Sequence, residues 1–261
     1  MSRETRVDFT QDGAVGLLTL DNPPLNLISE ELIRDLHDAI GAVETAREVR
    51  ALLMRGNGKV FSAGADVALF AGKSADEMRP LINSFLELGR RIERLPFPTL
   101  AAVHGTCIAG AFELALFCDL IWAAEGTMLG LPETRLGIVP LAGGVERLAA
   151  RAGLGRTLAV TLGGELHGAD KLASWGAIDR VVDAAELHPA AQDFARRLAA
   201  GPSRAYSVVK ELVRAYTTGG VSGADALLLD AAVGLFDTTD ARNGIETFLE
   251  SGAGPATFSG R

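Results

Sequence analysis

The sequence is poor in cysteine, in aromatic side chains and in positive charge, and each scarcity removes a class of function. Its two cysteines, Cys107 and Cys118, lie in an apolar stretch and read as buried thiols, not as a secreted disulfide framework. Those thiols and four histidines form no cluster at metal-ligand spacing, so no metal centre is expected. Trp122 and Trp175 read as core aromatics, which leaves no stacking platform. Lysine and arginine number 25 against 33 aspartates and glutamates, a net charge of −8 that argues against non-specific nucleic-acid binding. No stretch is expected to be long and apolar enough to span a bilayer. Met1–Arg6 has no apolar run behind its charges, so no signal peptide is expected and the expected location is cytoplasmic.

What remains is an ordinary globular composition, 48% apolar and 22% charged, over 261 residues. That length suffices for one large core with a helical appendage. Arg6 to Thr10 and Ala14 to Leu20 read as a hairpin around Asp12-Gly13, ended by Asn22-Pro23-Pro24. Ser29 caps a helix with Glu30 and Glu31 in its first turn and apolar residues at helical spacing. Ala51 to Met54 is a short buried strand, and Ser74 to Glu77 matches a capping box opening a helix to about Leu95. Thr99 to Val103, Ala109 to Phe117 and Asp119 to Ala123 read as strand, helix and strand. From Gly155 the pattern is helix after helix, broken at Gly163-Gly164, Gly201-Pro202 and Gly219-Gly220, with one strand over Ala177 to Val182. An α/β core (residues 1–190) followed by a helical region (191–261) is the resulting expectation.

Two Gly-rich strand-to-helix turns carry the chemistry. One is Val60-Phe61-Ser62-Ala63-Gly64-Ala65-Asp66; the other runs from His104 through Gly110 to Glu113. Small residues at such junctions leave backbone N–H groups free for an anion, and two such turns together can make an oxyanion hole. Glu113, amid Phe112, Leu114, Ala115 and Leu116, and Glu133, after Pro132, are two carboxylates able to divide acid and base work. Taken singly, each glycine also fits a tight turn and each glutamate an ordinary helix acid. His104 reads as a hydrogen-bonded turn histidine, Asp66 as a helix cap, and Arg196-Arg197 as an exposed helix face. The apolar residues of Met78 to Leu95 suit either an acyl pocket or helix packing.

The order of these segments resembles the crotonase, or enoyl-CoA hydratase/isomerase, superfamily. The resemblance rests on Asn22-Pro23-Pro24-Leu25-Asn26, Phe61 to Asp66, Gly110 to Glu113 with Cys118-Asp119, Pro132-Glu133, Leu136 to Gly144 and Gly244 to Phe248. It implies a spiral of repeated ββα units with a helical C-terminal trimerisation region, assembled as a homotrimer or a dimer of trimers. It implies acyl-CoA thioester substrates, with coenzyme A arriving as part of the substrate and no other cofactor, no nucleic-acid partner and no membrane. Mapped residue by residue, it implies oxyanion amides at Ala65 and Gly110 and hydratase carboxylates at Glu113 and Glu133. CoA contacts would involve Leu25, Ala63, Asp66 and Val67. Several members carry a lysine shortly after the aspartate matched by Asp66; here Lys73 is the first base. The implied reaction is syn addition of water to a trans-2-enoyl-CoA, with an isomerase, a hydrolase or a non-catalytic acyl-CoA-binding regulator as alternatives.

Overall fold

The hairpin at the start sets the edge of the main sheet: β1 (Val7–Asp12) and β2 (Val15–Leu20) pair antiparallel, Asp12 opposite Val15, with Gly13 at φ +59° in the turn. This is a computed structural model describing residues 6–252 and 256–260; the first five residues, whose charges bear on the leader expectation, lie outside them. After β2 come α1 (Glu30–Thr45), β3 (Ala51–Gly56), α2 (Ala75–Arg94), β4 (Thr99–Val103), β5 (Thr106–Ile108) and α3 (Gly110–Leu116). β6 (Leu120–Ala124), β7 (Met128–Gly130), α4 (Gly144–Ala152), α5 (Leu154–Gly163), β8 (His167–Gly168), α6 (Ala169–Ser174) and β9 (Arg180–Val182) complete the α/β portion. α7 (Leu187–Ala199), α8 (Ser203–Val233) and α9 (Thr239–Ser251) close the chain.

The main sheet has six strands in the order β1-β2-β3-β4-β6-β9, parallel from β2 onward. A second sheet joins β5, β7 and β8, and Ser62 bridges to Cys107 at its side. A long strand in the main sheet, a short segment in the second and then a helix recur three times, from β3, β4 and β6. That is the ββα spiral. Both faces of the main sheet are buried, as parallel sheets require. Leu18, Leu52, Met54, Ala101 and Val103 pack toward α1, α2 and α3. The alternate positions Leu17, Leu53, Leu100 and Trp122 pack on α7, whose Ala191, Ala195 and Ala199 recur every fourth residue and let it lie close.

Caps fall where the sequence places them. Ser29 accepts from the Leu32 amide, and Ser74 and Glu77 form a reciprocal capping box. The second sheet is the element the sequence does not announce, since strands of three, three and two residues are too short to show a period.

The helical region corrects the expectation about apolar length. By length and composition the helical segment Ser203–Asp237 is long and apolar enough to cross a membrane. Gly219-Gly220 breaks the pattern when read locally, and the backbone does leave the helix at Gly220 (φ 61°, ψ −159°), but the apolar residues on both sides add up across that break.

Candidate active site

The two Gly-rich turns are pressed into contact. Phe61 N–H donates to the His104 carbonyl at 2.9 Å and Ser62 N–H to the Thr106 carbonyl at 3.1 Å. Gly64 stands at φ +91°; a Cβ there would lie 2.7 Å from the Ile108 carbonyl oxygen and 2.9 Å from the Ala109 methyl. Only glycine fits that approach. Asn26 locks the first turn from beneath: fully buried, its Nδ2 reaches the carbonyls of Asn57, Val60 and Phe61 at 2.9–3.0 Å, while its Oδ1 accepts from the Asn22 amide. The Pro23–Pro24 bond next to it is cis.

The second turn ends in strain. Ala109 has φ 53° and ψ −134°, a region that non-glycine residues rarely occupy, and its N–H is fixed to the Gly130 carbonyl at 2.9 Å. Gly110 therefore opens α3 beside Ala65; a Cβ on Gly110 would lie 3.8 Å from the Ala65 nitrogen. Among the described residues, neither the Ala65 nor the Gly110 amide has an acceptor. Two donors with no acceptor among the described residues thus stand close together, an arrangement that can stabilise a developing oxyanion.

Glu113 and Glu133 both line the same cavity of about 270 Å³. All of α3 is buried, and Glu113, one turn into it, is 2% exposed. Its Oε1 accepts from the amides of Ala142 and Gly144, each at 2.8 Å. Burial pushes its pKa up to about 7 against those amides and that of Leu141, which pull it down. Glu133 starts the 3₁₀ turn Glu133–Leu136 and is 7% exposed. Its Oε2 has no hydrogen-bond partner among the described residues, and burial followed by repulsion from Glu113 raises its pKa to about 7. Two carboxylates near neutrality in an apolar pocket can exchange protons with a substrate in both directions. The rest of the wall is largely apolar, with Met78, Leu81, Ile82 and Phe85 supplied by one face of α2.

Of the residues expected to touch CoA, Ala63 and Val67 line this cavity, as Ala65 does, while Leu25 and Asp66 do not. Leu25 is largely exposed and its carbonyl accepts from the Ala63 amide; Asp66 caps the short turn Val67–Leu69 by accepting from the Ala68 amide. Lys73 pairs with Glu30. His104 bonds the Gly58 carbonyl through Nε2 at 3.1 Å, and both cysteines are buried free thiols. The amides of Ala142 and Gly144 belong to the site but escape sequence reading, because backbone donors leave only the Gly143-Gly144 pair as a trace.

The description enoyl-CoA hydratase/isomerase belongs to a family model that matches residues 10–259. The chain is 32% identical to a probable enoyl-CoA hydratase of Bacillus subtilis, covering 94% of this chain and 95% of that one. It is 31% identical to a crotonyl-CoA hydratase of Syntrophomonas wolfei, covering 90% and 92%. An enoyl-CoA hydratase subunit I of Geobacillus kaustophilus superposes with a TM-score of 0.93 at 31% identity over the whole of both chains. With its oxyanion-type turns, its paired glutamates and these likenesses over its whole length, the chain belongs to the enoyl-CoA hydratase/isomerase family.

Proposed function

We propose that the protein is an enoyl-CoA hydratase that adds water across the 2,3 double bond of a trans-2-enoyl-CoA. The observation that carries the reading is the pair Glu113 and Glu133, both in one apolar cavity and both raised to about 7, beside two amides with no acceptor among the described residues. Glu113, with Oε1 committed to two amides, orients a water and takes its proton as the oxygen attacks C3. The electron pair moves onto the thioester carbonyl, whose oxygen rests on the Ala65 and Gly110 N–H groups. Glu133 then delivers a proton to C2, so that H and OH are added on the same face. One well-placed oxyanion donor is worth roughly a hundred-fold or more in rate. The reaction consumes only water and needs no cofactor beyond the coenzyme A of the substrate. The named relatives support a hydratase, and two retained carboxylates support it over a one-carboxylate isomerase.

The reading includes assembly. Val209, Val213, Tyr216, Leu229, Phe236 and Phe248 are exposed on the C-terminal helices, more apolar surface than a lone chain keeps in water. It is this face that closes a homotrimer, alone or as half of a dimer of trimers.

The test is incubation with trans-2-enoyl-CoAs of several chain lengths, with products identified by mass. A gain of one water is the expected result. Free CoA would mean hydrolysis, an unchanged mass with a moved double bond would mean isomerisation, and binding without turnover would mean a regulator; any of these replaces the hydratase reading.

A further inference from the structure

The loop that grips Glu113 is itself gripped. Arg147, on α4, donates through Nη1 to the Gly143 carbonyl at 3.1 Å. Its Nε and Nη2 hold both carboxylate oxygens of Glu93 on α2, at 2.7 and 2.9 Å. Such a bidentate pair fixes the guanidinium plane as well as its position. The pair is largely sheltered, the Arg147 side chain being 18% exposed. Its guanidinium also lies 4.9 Å over the ring of Phe117, which meets Phe85 edge to face with centroids 6.0 Å apart. Phe85 is part of the cavity wall.

The carbonyl of Gly143 and the N–H of Gly144 belong to one planar peptide. Arg147 holds one end of that plane, and Glu113 Oε1 receives the other at 2.8 Å. Turning the carbonyl turns the N–H with it. A charged donor on the carbonyl also polarises the peptide and strengthens the N–H as a donor. Gly143 sits at φ +85°, and a Cβ there would lie 2.1 Å from Arg147 Nη1. The arginine thus occupies the space a side chain would take.

We propose that Arg147, braced by Glu93, is a positioning residue for Glu113: it aims the Gly143–Gly144 peptide at the carboxylate and ties that aim to α2, the helix that also walls the acyl cavity. The inference rests on Glu113 being the proton acceptor. Charges on elements around Glu113 are Glu146 in the first turn of α4, which raises it, and Glu133 in the 3₁₀ turn, which Glu113 itself raises, with Arg135 on the cavity wall and Arg147 and Glu93 behind the peptide. Arg147 reaches Glu113 through the backbone. Without that peptide bond in line, Glu113 loses a hydrogen bond that favours its ionised form, and its pKa moves further up.

The experiment compares Arg147→Met, Arg147→Lys, Glu93→Gln and Glu113→Gln with the wild type. Each is read by kcat and KM over pH, and by infrared titration of the protonated carboxyl with the Glu113→Gln spectrum subtracted. Arg147→Met is expected to move the Glu113 titration and the acidic limb of kcat upward by about one pH unit. At pH 7 kcat falls about five-fold with KM changed less than about two-fold, and the deficit shrinks as pH rises. Arg147→Lys restores most of the loss, because an ammonium still donates to the carbonyl; Glu93→Gln gives an intermediate shift. A folded Arg147→Met protein whose Glu113 titrates as in the wild type overturns the proposal, as does a deficit constant across pH. Should Arg147→Met not fold, an unmoved titration in Glu93→Gln overturns it instead. Full hydration by Glu113→Gln would sink the hydratase mechanism, while the infrared titration still judges the positioning role by itself.

Discussion

Glu133 places an oxygen with no partner among the described residues in a cavity walled by Ile28, Ile33, Leu81 and Phe85, an arrangement that costs folding energy. Glu133→Gln and Glu113→Gln are each expected to lower the hydration rate by roughly a hundred- to ten-thousand-fold, measured as kcat on a trans-2-enoyl-CoA. In the proposed mechanism both serve one water and one enolate, so the double variant is expected to lose much less than the product of the single losses. The same residues leave a signature in stability. In the folded protein each carboxyl titrates near 7, against an ordinary 4.5, so the folded state holds more protons between those values. Stability is therefore full below about pH 4.5 and declines as pH rises through 7. Glu133→Gln escapes the decline: at pH 8 its urea unfolding free energy should exceed wild type by about 1–3 kcal/mol, a margin that vanishes near pH 4. A margin independent of pH would show that the carboxyl is not held neutral by its surroundings. Both glutamates are visible in the sequence as acids in apolar company. Ala109 is not, since alanine carries no sign that its φ is positive, and Arg147 reads as one more helix arginine.

At the scale of elements, the site is two strand-to-helix junctions pressed together, and their glycines have separable duties. Gly110 has an ordinary φ; its Cβ would meet Phe85 Cε1 at 3.2 Å and Ile28 Cδ1 at 3.5 Å, contacts that side chains relieve by small shifts. Gly110→Ala should fold, with an unchanged circular dichroism spectrum, yet lose roughly a hundred-fold in kcat as its methyl enters the space between the two amides. Gly64→Ala meets backbone at 2.7 Å while holding φ +91°, and should lower the urea midpoint by the equivalent of about 2 kcal/mol or more. Equal stability losses at the two positions would contradict this division of roles. Elements with caps or turn signals were legible: Ser29, Ser74 and the Gly13 hairpin all mark boundaries within a residue or two. The second sheet was not, because β5, β7 and β8 derive their pairing from neighbours far along the chain and not from their own pattern.

At the scale of the molecule, the α/β portion buries both sheet faces while the C-terminal helices keep an apolar face open. Sedimentation at micromolar concentration is expected to give a trimer or a multiple of it, and a sharply monomeric mass would count against that assembly. The helices are anchored to the core by polar clasps. Lys210 reaches Asp119 at 2.7 Å and the Phe97 carbonyl at 2.9 Å, and Arg50 bonds Ser203 Oγ at 2.9 Å and the Phe258 carbonyl at 3.3 Å. In the proposed trimer, association then depends on how the outer half of α8 is directed. That direction is set at Gly220, whose φ 61° and ψ −159° belong to a region essentially reserved for glycine, and a Cβ there would meet nothing within 4 Å. A methyl at Gly220 would touch no neighbour, so its whole effect is torsional: it re-aims one lever arm and leaves every contact surface chemically intact. In the proposed assembly that one dihedral angle is the address label of the subunits, and changing it is expected to redirect them without altering a single residue that does chemistry.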